Sequence, residues 1–170
     1  MTKWARVAIV STLAAAAAVI ASRPADAQGL GYGIAGPAGY TGFFGSSAMP
    51  MLHAAGGGEF LVGGRVGAGG EFGLMANSNG GVFGTSANGV FHFTPSEPTP
   101  IRRRISPFAS GGYSRITSGE GGFDAFNLGA GADVWLKPRV GMRFEVRDHI
   151  RPDTRGGVQY FAFRVGVVFR

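Results

Sequence analysis

Tyr160-Phe161-Ala162-Phe163-Arg164-Val165-Gly166-Val167-Val168-Phe169-Arg170 alternates from end to end. The odd positions Phe161, Phe163, Val165, Val167 and Phe169 are all apolar, whereas the even ones are mostly small or cationic. Successive side chains of a strand point to opposite faces, so this stretch predicts a β-strand with one greasy face and one narrow, polar face. The segment before it repeats the pattern, with Val140, Met142, Phe144 and Val146 against Gly141, Arg143, Glu145 and Arg147. A third places Phe126, Leu128, Ala130, Ala132 and Val134 opposite Asn127, Gly129, Gly131 and Asp133. Glycine collects on the polar face, as a cramped interior requires.

Working outward, weaker alternation continues toward the N-terminus. Val66, Ala68, Phe72 and Leu74 oppose Arg65, Gly67, Glu71 and Gly73, while Phe83, Ala87, Phe91 and Phe93 oppose Gly84, Ser86, Asn88 and His92. Leu52, Ala54, Phe60 and Val62 oppose His53, Gly57 and Glu59. Residues 105–116 can face either way, and residues 30–44 are interrupted by Pro37, which cannot donate to a ladder. Gly63-Gly64, residues 77–81, 94–100 and 118–122, Lys137-Pro138 and residues 151–157 carry turn chemistry between these runs. Eight candidate strands therefore fill residues 28–170. No segment after the N-terminal run is long and apolar enough for a transmembrane helix. A membrane-embedded chain of this kind must then be a closed barrel, the other way to satisfy backbone polar groups in lipid. The predicted fold is all-β: an eight-stranded, antiparallel, up-and-down transmembrane β-barrel.

Composition agrees. Thirty-one glycines and fourteen phenylalanines stand beside only 15% charged residues, and 45% apolar content argues against disorder. There is no cysteine, so disulfides and thiolate chemistry are excluded. Residues 1–27 read as a secretory signal peptide: Lys3 and Arg6, an apolar run from Val7 to Ile20, then the small-x-small site Ala25-Asp26-Ala27. The expected mature chain is a single barrel domain, 28–170, beginning at Gln28. Removing Lys3, Arg6, Arg23 and Asp26 lowers the net charge from +6 to +4, too little and too scattered for nucleic acid. Lys137 is the one lysine left, whereas a soluble β-protein normally lines its edges with lysine.

The stretches GGGEFLVGGRVGAGGEFG (56–73), PFASGGYSR (107–115), PRVGMRFEVRD (138–148) and the closing aromatic strand resemble the outer-membrane β-barrel domain family of small opacity-type and OmpA-like proteins. The resemblance covers essentially the whole mature chain and rests on pattern and glycine placement. It implies the fold and a location in the outer membrane of a Gram-negative-type bacterium, with export through the inner membrane. It also implies outer-membrane lipid as surroundings and the barrel-assembly machinery as a partner during insertion. Arg170 departs from the family's pattern by following the terminal aromatic, and the peptidoglycan-binding domain of OmpA-type proteins has no counterpart here.

The residues expected to face lipid are Phe126, Leu128, Phe144, Phe161, Phe163, Val165, Val167 and Phe169. Those expected in the lumen are Glu59, Glu71, Asp133 and Glu145 with Arg65, Arg143, Arg147 and Arg164. Eight strands enclose only enough room for side chains to fill, and charges placed there must pair. A salt-bridged plug is the favoured reading, and Glu145→Gln with Arg143→Gln is expected to loosen it. A polar conduit is the alternative. His53, His92 and His149 fall on different segments, which does not favour a metal site. No histidine has a serine two residues away, so no catalytic set is assigned. No cofactor is expected, and Arg102-Arg103-Arg104 is too small a basic run for nucleic acid.

The sequence thus reads as a non-enzymatic outer-membrane barrel with a filled lumen and a structural or surface-interaction role, its surface partner unidentified. A narrow passive channel is one alternative. A soluble, lipocalin-like carrier barrel in the periplasm is another, since both carry one greasy and one polar face. An even strand number places both termini in the periplasm. The connections near 45–50, 77–81, 117–122 and 151–157 then face outward, and those near 63–64, 94–104 and 137–138 face the periplasm.

Overall fold

Period-two alternation folds here into eight strands. The computed structural model describes residues 27–42, 49–78, 80–93, 105–119, 121–151 and 158–170. The N-terminal segment up to residue 26, expected above to be a signal peptide, the arginine run at 102–104 and most of the longer connections lie outside the described residues. The strands are β1 (Ala27–Gly42), β2 (Met49–Val62), β3 (Val66–Asn77), β4 (Gly80–His92), β5 (Ile105–Ser118), β6 (Gly121–Lys137), β7 (Val140–Arg151) and β8 (Val158–Phe169). Each pairs antiparallel with its neighbours in sequence, and β1 pairs with β8 to close the barrel. Closure leaves no sheet edge among them.

Pro37 does not end β1. It pairs opposite Leu52 of β2. On the β8 side the pairing runs through Ala35–Val165, omits Gly36 and Pro37, and resumes at Ala38–Ala162 in the same register. The missing proline N–H costs the ladder locally without shifting it. At the β2–β3 hairpin Val62 pairs with Val66, and Gly63 (φ 59°) and Gly64 (φ 64°) take the left-handed conformation that such a tight reversal needs.

The facing is the reverse of a lipocalin. Large apolar side chains point out: Leu52, Phe72, Phe126, Leu128 and Phe163 are each more than half exposed. The lumen instead takes Glu59, Glu71, Asp133, Arg143, Glu145, Arg147 and Arg164, all buried. This disposition overturns the soluble-carrier alternative. Residues 105–116, ambiguous in sequence, turn Ser106, Phe108, Ser110, Ser114 and Ile116 inward. Along β6 the outward side chains from Phe126 to Leu136 are uninterruptedly apolar. At about 3.3 Å per residue and a tilt of about 40°, that run spans a band about 25 Å tall, the height of an outer-membrane barrel's apolar belt.

The interior is stratified, which the alternation did not predict. At the end where β1 begins and β8 ends, here the lower end, Leu30, Leu61, Val90, Trp135 and Val168 form an apolar floor with Tyr32 and Ile34. At the upper end Met75, Ile116, Ala125 and Tyr160 pack with Met51, Val82, Phe123 and Val158. Every inward polar and charged residue lies between these two layers or at their margins.

Candidate functional site: the closed lumen

The strands bring charges from distant parts of the chain into two bonded groups in the lower half. In the first, Arg143 of β7 lies between two carboxylates. Its Nε donates to Asp133 Oδ1 at 2.7 Å and its Nη1 to Glu59 Oε1 at 2.5 Å. The guanidinium also stacks 4.4 Å from the centroids of both Tyr32 and Phe108. His92 joins the group, with Nε2 3.3 Å from Glu59 Oε2 and Nδ1 3.1 Å from Ser106 Oγ.

The second group sits higher. Arg164 of β8 donates through Nη1 to Glu71 Oε1 at 2.6 Å and lies 2.9 Å from Glu145 Oε2 through Nη2. Arg147 is 2.7 Å from Glu145 Oε1 and 3.5 Å from Glu71 Oε1, and its Nη2 donates to Ser110 Oγ. Tyr32 links the two groups: its ring lies under Arg143 and its hydroxyl donates to Glu71 Oε2 at 3.0 Å. Tyr32, Glu59, Glu71, His92, Ser106, Asp133, Arg143 and Arg164 come from β1 to β8 in order. The bonded set therefore crosses the barrel and is anchored on every wall.

Above it the polar residues are neutral. His149 Nδ1, Asn127 Nδ2 and Ser86 Oγ converge on Ser114 Oγ at 3.1, 2.9 and 2.9 Å. Two buried ring nitrogens here, His53 Nδ1 and His149 Nε2, have no hydrogen-bond partner among the described residues.

Inward glycines are seats rather than holes. A β-carbon at Gly129 would fall 2.6 Å from Ser110 Oγ and 2.9 Å from Glu145 Oε1. At Gly57 it would meet the Tyr32 hydroxyl at 2.5 Å, at Gly73 His53 Nε2 at 2.7 Å, and at Gly131 the Phe108 ring at 2.7 Å. A large side chain from a neighbouring strand occupies the space each glycine vacates.

Of the eight charges expected in the lumen, seven are there. Arg65 is the correction: it is exposed at the lower rim and makes no ion pair among the described residues. The alternation was extended one residue too far, because β3 starts at Val66 and Arg65 belongs to the turn. Four acids consequently face three arginines, and His92, Ser110 and Tyr32 supply the remaining contacts. All eight residues expected to face lipid point outward and are exposed, from Phe161 at 36% to Phe126 at 64%. Sequence reading missed Tyr32, Ser106 and Ser110, whose contacts depend on register across strands.

Ser106, His92 and Glu59 line up in the order of a hydrolase triad, a grouping that no sequence spacing signals. Ser106 is only 1% exposed, and Glu59 is held by Arg143, so the arrangement presents no nucleophile to a substrate in this closed form. No group of three or more potential metal ligands occurs among the described residues. At the upper rim, outside the apolar band, Arg115 Nη1 donates to Asp124 Oδ1 at 2.7 Å. Hydrogen bonds from the Tyr113 hydroxyl and from Arg115 hold the Asp124 carboxyl below its ordinary range.

A family model described as an outer membrane protein beta-barrel domain matches residues 11–170. No curated protein matches the sequence. The crystal structure of Neisserial surface protein A (NspA) superposes with a TM-score of 0.62 at 12% identity, over 84% of this chain and 97% of that one. The N-terminal β-barrel domain of Pseudomonas aeruginosa OprF gives 0.55 at 16% identity, over 84% and 98%. The outer membrane protein OprG from the same organism gives 0.52 at 7% identity, over 83% and 95%. At such identities these likenesses concern the fold.

Proposed function

The chain belongs to the outer membrane protein beta-barrel domain family, and from that premise we propose that it is a closed barrel with a structural or surface-interaction role, neither a channel nor an enzyme. One observation carries this reading: the bonded set built from all eight strands, lying between two apolar layers, occupies the lumen's cross-section. An ion crossing it would have to separate buried ion pairs, and breaking a buried pair costs about 3–5 kcal/mol. The triad-like Ser106, His92 and Glu59 act within this scheme as struts.

In the same reading residues 1–27 direct export and are removed, the barrel-assembly machinery inserts the mature chain, and both termini face the periplasm. What the barrel offers to the outside is then its upper rim and the connections there, the surface available to a partner. Vesicles carrying the refolded barrel should release a trapped small sugar no faster than protein-free vesicles. Rapid release would favour the narrow-channel reading. Intact mass of the protein from cell envelopes should correspond to a start at Gln28, and retention of Met1 would contradict the export step.

A further inference from the structure

The charges of the barrel are distributed unequally between its two rims. Near the upper rim the described charges balance: Arg115 pairs with Asp124, Arg151 lies over the Phe123 ring, and Asp148 accepts a hydrogen bond from Gln159. At the lower rim stand Arg65, Lys137, Arg139 and Arg170, and no acidic side chain accompanies them among the described residues. The acids nearest in sequence, Glu59 and Asp133, are buried in the lumen and held by Arg143.

Depth is the second observation. Arg65 lies between Val62 and Val66, Lys137 and Arg139 between Leu136 and Val140, and Arg170 follows Phe169. Those five apolar neighbours are all outward and between 41% and 57% exposed. Arg65, Lys137 and Arg139 therefore stand where the apolar belt ends, the level of lipid headgroups, with stems long enough to keep their charge in that layer. Arg170 turns the other way: its Nε donates to Pro138 O at 2.8 Å and its guanidinium lies 4.2 Å from the ring centroid of Trp135, a residue of the apolar floor, so it sits against the lower mouth of the lumen.

Their spacing around the barrel decides what they meet. The β2–β3 turn and the β6–β7 turn are four strands apart in an eight-stranded ring, on opposite sides. A single protein docking beside the barrel reaches one of these turns; the surrounding lipid annulus reaches both. We propose that Arg65, Lys137 and Arg139 form a ring that binds the anionic phospholipid headgroups of the leaflet at the lower end. This rests on the membrane facing used above, and it identifies that leaflet as the periplasmic one. Arg102, Arg103 and Arg104 lie outside the described residues and form no part of the ring.

The test uses the full mature barrel, refolded in phosphatidylcholine vesicles with and without phosphatidylglycerol, its folding equilibrium followed in urea at low salt. Each Lys or Arg near an anionic surface contributes several-fold to binding, so phosphatidylglycerol should raise the wild-type folding constant at least about tenfold. The exposed-turn variant Arg65→Gln/Lys137→Gln/Arg139→Gln should lose most of that gain, whereas Arg115→Gln/Asp124→Asn should keep it. High salt should abolish the wild-type gain, and this arm needs no variant to fold. An equal gain in the triple variant, a gain indifferent to salt, or the same gain from inorganic phosphate with neutral vesicles would overturn the proposal. A barrel that conducts ions yet keeps the salt-sensitive gain would overturn the closed lumen and still support the ring.

Discussion

The lower and upper halves of the lumen solve the problem of polar groups in a narrow tube differently. Below, seven charged side chains with His92 and Tyr32 form a set in which every guanidinium contacts two carboxylates. Above, His149, Asn127 and Ser86 are joined by fewer bonds, all to Ser114 Oγ, and His53 Nδ1 and His149 Nε2 have no partner among the described residues, as Trp135 Nε1 and Arg164 Nε have none below. Glycines differ in the same sense at one upper position: Gly129, beside the upper charged group, seats Ser110 and Glu145, and Gly73 above seats His53, whereas a β-carbon on Gly84 of the upper half would meet only Gly73 O at 3.9 Å. The lower half is a tightly filled seal. The upper half is a looser polar chamber under an apolar cover.

The largest expected effect is at the centre of the seal. Arg143→Leu strands Glu59 and Asp133 as buried charges and should destabilise the barrel by about 3–5 kcal/mol in urea unfolding from lipid vesicles. A loss below about 1 kcal/mol would mean that the lower half is not held by this pair of contacts. Next is Gly129→Val, whose branched side chain lands on Ser110, Glu145 and Arg147. Overpacking of this kind costs about 1–3 kcal/mol. Gly84→Ala should stay within about 0.5 kcal/mol of the parent, the range for a substitution touching no constrained feature, and equal costs at Gly129 and Gly84 would erase the distinction between the halves. His149→Leu should also cost little, about 1 kcal/mol or less, because the ring makes one hydrogen bond through Nδ1 and its other nitrogen has no partner among the described residues. A loss matching that of Arg143→Leu would require a stronger upper network than the observed bonds supply.

What the sequence revealed follows from which contacts are local. Alternation is a property of one strand, so the outward faces of β6, β7 and β8 were legible wherever large apolar residues held one parity. It failed over 105–116, where Phe108 and Ile116 point inward among serines and the two faces look alike. It overran at Arg65, because a two-glycine turn breaks the parity that alternation assumes. Partners were not legible at all. Arg143 and Glu145 lie two apart on the same face of β7 and read as a natural pair, yet they belong to different groups. Arg143 takes Glu59 and Asp133, while Glu145 takes Arg147 and Arg164. Neutralising that sequence-chosen pair would thus damage both groups instead of removing one bridge. The inward glycines were read from composition as a response to crowding, but what sits against each one depends on the register between strands.

Closure of the lumen is the central claim, and single-channel recording on the purified mature barrel in planar bilayers tests it most directly. The unmodified protein should give no steady conductance, whereas Arg143→Leu, provided it folds, should open brief or sustained leaks by freeing Glu59 and Asp133 from their shared cation. Stable, uniform conductance steps from the unmodified protein would contradict the account, because ions would then be passing a set of side chains that bridges all eight strands.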